Sequence, residues 1–111
     1  MSINSVTLLG HTGAEVDYKT FESGSQRVTI SLATNSKYKN AKGELVQSTQ
    51  WHRIIAWGNL AKACKDYVGK GDKICVQGRL ETRTYEEKGS KRWITEVVAT
   101  SIEFCSSKKD K

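Results

Sequence analysis

Residues 49–57 read Thr49-Gln50-Trp51-His52-Arg53-Ile54-Ile55-Ala56-Trp57, and residues 59–68 read Asn59-Leu60-Ala61-Lys62-Ala63-Cys64-Lys65-Asp66-Tyr67-Val68. The change of period between them decides the fold. In a strand, residues two apart share a face. Trp51, Arg53, Ile55 and Trp57 therefore lie on one side of the first segment, and His52, Ile54 and Ala56 on the other. Ile54 and Ala56 suit the interior of a small barrel. In the second segment Leu60, Ala63, Cys64, Tyr67 and Val68 recur at spacings of three and four, the apolar stripe of a helix. Asn59 is suited to cap that helix. Gly69 is suited to end it in the left-handed conformation, with Lys70-Gly71-Asp72 turning the chain.

Upstream, the alternation predicts a first strand over about Ile3 to Gly10, with Val6 and Leu8 on one face. A short extended piece follows near Glu15 to Thr20, then a turn at Ser23-Gly24-Ser25. The second strand is Arg27 to Thr34, with Val28, Ile30 and Leu32 facing inward. A long polar loop, Asn35 to Ser48, has Gly43 at its tip. Downstream, a fourth strand runs from about Lys73 to Tyr85, with Gly78 marking a bend or bulge. A hairpin tip at Glu86 to Lys91 leads into a fifth strand, Arg92 to Phe104. Residues 1–105 then form one domain, and 106–111 a short, basic, disordered end. Five strands with one helix between the third and fourth is the layout of an all-β, Greek-key OB-fold barrel. An open α+β sheet is the alternative. One helix of about ten residues cannot cover five strands, whereas closing the sheet buries the remaining apolar face and removes its edges.

The chain has 111 residues and a mass of 12.4 kDa, enough for a single domain. Its net charge of +6 makes a polyanion a natural partner. No apolar run approaches the ~18 residues of a membrane span, and MSINSVTLLGH lacks the pattern of a secretory leader. Three cysteines without a C-x-x-C pair fit a reducing, cytoplasmic setting, with Cys64 and Cys75 as buried thiols. His11 and His52 stand apart from any ligand cluster, so neither a metal nor another cofactor is expected. Catalytic motifs are equally absent. Gly10-His11-Thr12-Gly13 is no phosphate cradle, Gly69-Lys70-Gly71 follows the helix instead of opening it, and Glu86-Glu87 is a solvated tip. No enzyme is expected.

The chemistry lies on the face carrying Trp51, Arg53 and Trp57. Arginine is almost never buried unpaired, and two indoles flanking a guanidinium suit a groove where bases stack and phosphates are met. Taken alone, the strand equally allows two tryptophans anchoring a core or a subunit contact. Other elements tip the balance. Tyr38 lies among Lys37, Lys39 and Lys42 in the predicted loop. Arg79, Glu81, Arg83 and Tyr85 share a face of the fourth strand, and Trp93 follows Arg92. Basic residues interleaved with aromatic ones on three elements point to a nucleic-acid surface.

Three strings carry a resemblance: SLATNSKYK at 31–39, TQWHRIIAWGNLAKACKDYVGKGDKICVQGRLETRTY at 49–85 and KRWITEVVATSIEF at 91–104. They resemble the bacterial single-stranded DNA-binding protein family, over about Ser5 to Phe104. The resemblance implies an OB-fold homotetramer that binds single-stranded DNA without sequence preference, in replication, recombination and repair. It places the stacking rings at Tyr38, Trp51, Trp57 and Tyr85. It places the phosphate contacts at Arg53, Arg83, Lys37, Lys39 and Lys42; Arg79 joins them from its place on the fourth strand. The family often has Trp at positions 38 and 85 and Phe at 57, so a ring is kept at each. Glu81 stands where a basic residue is common, and GHTGAEVD at 10–17 departs from the family motifs. The sequence ends at SSKKDK without a Gly-rich linker and acidic tip, so tail-mediated recruitment of proteins is not expected. The rival class is an OB-fold interaction module of the primosome-accessory type, in which Trp51 and Trp57 would serve an interface.

Overall fold

Side-chain alternation builds the interior. Val28, Ile30 and Leu32 from one strand, Ile54 and Ala56 from the next, and Ile74, Val76, Val97 and Ala99 from the last two form one buried cluster. The computed structural model describes residues 2–106. Its strands are β1 (Val6–Thr12), β2 (Asp17–Thr20), β3 (Gln26–Lys39), β4 (Leu45–Trp57), β5 (Lys73–Glu87) and β6 (Ser90–Ser106), with helix α1 (Gly58–Tyr67) between β4 and β5. The sheet runs β1-β5-β6-β4-β3, and a further β1–β3 pairing closes it into a barrel. All pairings are antiparallel except β4 with β6, where Ile54 lies beside Val97 and Ile55 beside Val98. β2 pairs only with β3 and stays outside the ring. The expected five-stranded barrel is therefore β1, β3, β4, β5 and β6, and β2 is the short extended piece read between the first two.

Strand limits differ from expectation in an instructive way. β1 starts at Val6 and continues through His11 to Thr12. β3 and β4 pair without a break from Arg27–Trp57 to Lys39–Leu45, so the predicted loop shrinks to residues 40–44. The Asn40 side chain closes that turn by accepting the Lys42 and Glu44 amides at 2.9 and 3.0 Å. Likewise β5 and β6 pair out to Glu87–Ser90. Beyond the barrel, residues 35–39 and 81–93 are solvent-exposed. These ribbons have little apolar alternation because neither face is covered. Gly78 is a bulge as expected: the register shifts between Gln77 and Gly78, and a Cβ at Gly78 would fall 2.2 Å from the Val98 carbonyl oxygen.

The helix caps are corrected. Trp57, still extended at φ −122°, occupies the N-cap position without a side-chain cap, and Asn59 lies inside the helix. The strand runs directly into the helix through Gly58, so no residue is left to act as a polar cap. The buried stripe is Ala61, Cys64 and Val68. Leu60 is half-buried, and Tyr67 is exposed, with its ring 6.0 Å from Phe104. At the C-terminus the left-handed residue is Gly71, not Gly69. Buried Asp72 performs the stop: its carboxylate accepts the Gly69 amide at 2.7 Å, while the Thr12 hydroxyl donates to the Gly69 carbonyl at 2.6 Å.

Cys64 is fully buried, and burial pushes its thiol up to about 11. Cys75 is only half-buried, because it points away from the interior held by Ile74 and Val76; Cys105 is exposed. Of the predicted basic end, Ser106 finishes β6 and residues 107–111 lie outside the described residues.

Candidate nucleic-acid interface

Register brings most of the predicted residues onto one outer face. On β4 it carries Trp51, Arg53, Ile55 and Trp57, beside Ala33, Ser31, Thr29 and Arg27 of β3. The parallel contact with β6 adds Val98 and Glu96, and the β5–β6 register adds Arg79, Glu81, Arg83 and Tyr85. Trp51 is 62% exposed and Trp57 48%, so neither serves the core of this chain.

Each indole has a support. The six-membered ring of Trp51 lies on the backbone of Gly13; a Cβ there would fall 2.4 and 2.5 Å from its Cζ3 and Cη2. Trp57 stacks on Phe21, with centroids 6.0 Å apart and planes 28° from parallel. Phe21 in turn lies under the Lys19 ammonium at 5.0 Å and the Arg27 guanidinium at 5.2 Å. Such cation–π contacts set positive charge beside a stacking ring.

Arg53 and Arg83 share a partner that sequence reading missed. The Arg53 Nε–H donates to Glu96 Oε2 at 2.5 Å, and the Arg83 Nε–H to Glu96 Oε1 at 3.0 Å. Glu96 is 6% exposed. Burial pushes its carboxyl up, but the hydrogen bonds and charges of Arg83 and Arg53 outweigh that and hold it below the usual carboxylate value. Arg79 pairs instead with Glu81 at 3.3 Å, both exposed, a contact of little energetic consequence.

Between these groups lies a groove of about 100 Å³, floored by Ile55 and Val98 and walled by Arg27, Trp57, Glu81, Arg83 and Glu96. The buried Arg27 Nε and Thr29 Oγ1 on this face find no hydrogen-bond partner among the described residues.

Residues 3–105 match the Single-strand binding protein family. The chain belongs to that family. It is 38% identical over 108 residues to the Single-stranded DNA-binding protein 1 of Chlorobaculum tepidum, covering 96% of this chain and 67% of the relative. It is 39% identical over 111 residues to the Single-stranded DNA-binding protein of Bacteroides thetaiotaomicron, covering 97% and 69%. Among solved structures, the Plasmodium falciparum SSB complex with ssDNA superposes with a TM-score of 0.88 at 32% identity, over 96% of this chain and 97% of that one. The wild-type single-stranded DNA binding protein from Thermus aquaticus gives 0.81 at 29% identity, over 94% of this chain and 50% of that one.

For a member of this family, the remaining predicted residues fall as follows. Tyr38, Lys37 and Lys39 are on β3, not in a loop; only Lys42 sits in the turn. By the unbroken register, Lys37 and Lys39 continue the face of Trp51, whereas Tyr38 shares the opposite face with Thr34 and His52. Those two are joined at 2.9 Å between Thr34 Oγ1 and His52 Nε2. Trp93, opposite Thr84, is also on the other face of its ribbon from Tyr85. Glu96, Phe21, Lys19, Arg27 and Gly13 were not legible as site residues. The one available signal was Arg53, a cation placed by alternation on the same face as Ile55, where an acid could serve it as partner. Among the described residues no group of three or more His, Cys, Asp or Glu could hold a metal ion, and no helix is long and apolar enough to cross a membrane.

Proposed function

We propose that this chain binds single-stranded DNA without sequence preference and protects it during replication, recombination and repair, as a cytoplasmic, nucleoid-associated homotetramer. It acts as a binding protein and not as an enzyme, with residues 1–105 as its binding domain. The observation carrying this reading is the pair of exposed indoles, Trp51 and Trp57, each held by a support and flanking Arg53 on one face. The likeness to a Plasmodium falciparum SSB described in complex with ssDNA supports it.

Bases stack on Trp51, Trp57, Tyr85 and, from the β3–β4 ribbon, Tyr38. Stacking contributes about 1–3 kcal/mol per base and tolerates any sequence, because every base has a π-face. Phosphates meet Arg53, Arg83, Lys37, Lys39 and Lys42, releasing counterions. Arg79 contributes less, since Glu81 offsets its charge.

Titration with oligo-dT, following tryptophan fluorescence at two salt concentrations with duplex DNA as control, tests the reading. Strong quenching by the single strand alone, weakening with salt, is expected. Trp51→Ala and Trp57→Ala should each weaken binding by about fivefold or more with the fold kept, as follows from the stacking energy. Unchanged affinity in both would refute the assigned face. Light scattering should return a tetramer; a dimer would favour the interaction-module class.

A further inference from the structure

We propose that Glu96 sets both the aim and the charge of the single-strand face. Its buried carboxylate binds the Nε edges of Arg53 and Arg83, so the two guanidiniums present their Nη ends to phosphate and carry one net positive charge instead of two. The inference rests on the single-strand binding proposed above.

Both carboxylate oxygens of Glu96 are engaged, one by each arginine through Nε. Arg83 adds only a long contact from Nη2, at 3.4 Å. The Glu96 side chain is 7% exposed, whereas those of Arg53 and Arg83 are 41% and 51% exposed. The acid is thus withdrawn beneath the face, and the cations are left at its surface. A guanidinium held by its Nε edge keeps its outer nitrogens free to point away from the carboxylate, the geometry in which arginine meets phosphate. The two arginines come from different strands, β4 and β5, and Glu96 from β6 between them. Without the shared acid, two like charges would lie side by side on flexible stems. With it, they form a rigid unit. Glu81 does not substitute: it is exposed, and its partner is Arg79.

Glu96 is accordingly a positioning residue that also limits affinity. Glu96→Gln keeps the shape and removes one negative charge. The plot of log affinity for oligo-dT against log salt should then steepen by about 0.7, the increment for one further phosphate neutralised on a single strand. Binding should be tighter at low salt, and the advantage over the parent protein should shrink about threefold between ~50 and ~200 mM salt. An unchanged slope would overturn the inference. Since the variant removes a buried partner and could fail to fold, a second measurement uses the parent protein. The ¹⁵N-detected Nε–H signals of Arg53 and Arg83 should be slow to exchange, and should stay so when oligo-dT is bound. Their loss on binding would mean that phosphate displaces Glu96, and would also overturn the inference. Failure of the parent protein to bind oligo-dT at all would instead remove the single-strand reading on which this one stands.

Discussion

Gly13 shows how one residue can govern another at the interface. The Trp51 ring rests where a methyl group at Gly13 would sit. Gly13→Ala should therefore push the indole off its seat and lower both oligo-dT quenching and affinity several-fold, while circular dichroism reports an unchanged barrel. Unchanged affinity would mean that the ring has another resting place. At this scale the sequence was readable where alternation alone decides, as with Trp51, Arg53 and Trp57 on one side and Ile54 and Ala56 on the other. It was unreadable where a contact depends on register between strands distant in the chain. Glu96 lies 43 positions from Arg53, and nothing in the local pattern at Thr95-Glu96-Val97 says which cation it meets. Phe21 is a similar case: it follows a short edge strand and reaches Trp57 only because β2 folds back on β3.

At the scale of elements, burial determined what could be read. Strand segments that cover the core announce themselves by period 2, and the stripe of α1 by spacings of three and four, although its centre proved to be Ala61, Cys64 and Val68. The ribbon halves of β3, β4, β5 and β6 cover no core and carry exposed rings such as Tyr38, Tyr85 and Trp93 among polar residues, so pairing there leaves no periodic trace. The same ribbons carry Lys37 and Lys39, and their charge needs no burial to act. Lys37→Gln and Lys39→Gln should each reduce the salt slope of oligo-dT binding by about 0.7. The urea midpoint should not move, because exposed substitutions rarely change stability by more than about 0.5 kcal/mol. A fall in the urea midpoint would show that the ribbon, and not only its charge, supports the barrel.

For the molecule as a whole, the closed barrel was legible from the order of its elements, because five strands and one short helix allow few other ways to bury an apolar face. Glu96 ties three of those strands together, and this gives stability a pH dependence of definite sign. Its carboxyl is held below the ordinary value in the folded chain. Its contribution is therefore present in full above the unfolded value, and is lost as pH falls through the lower, folded one. Urea midpoints should drop below about pH 4.3, the unperturbed glutamate value. Glu96→Gln should be less stable at pH 7 and should show a shallower loss on acidification. Parallel acid limbs in the two proteins would count against the triad.

The strand pairings are very unequal in length. β3 with β4 and β5 with β6 are long hairpins that zip from their own turns, joining 13 and 15 residue pairs. They are stitched to each other by a seam of only two pairs, Ile54–Val97 with Ile55–Val98, and β1, which runs along β5 for six pairs, joins β3 through only two, His11–Ala33 with Thr12–Leu32. A seam of this kind must close a long stretch of chain for few hydrogen bonds, and such contacts form late in folding. Breathing of the native molecule should follow the same lines. The hairpins would part at the β4–β6 seam, exposing Ile54 and Val97, before either ribbon came undone.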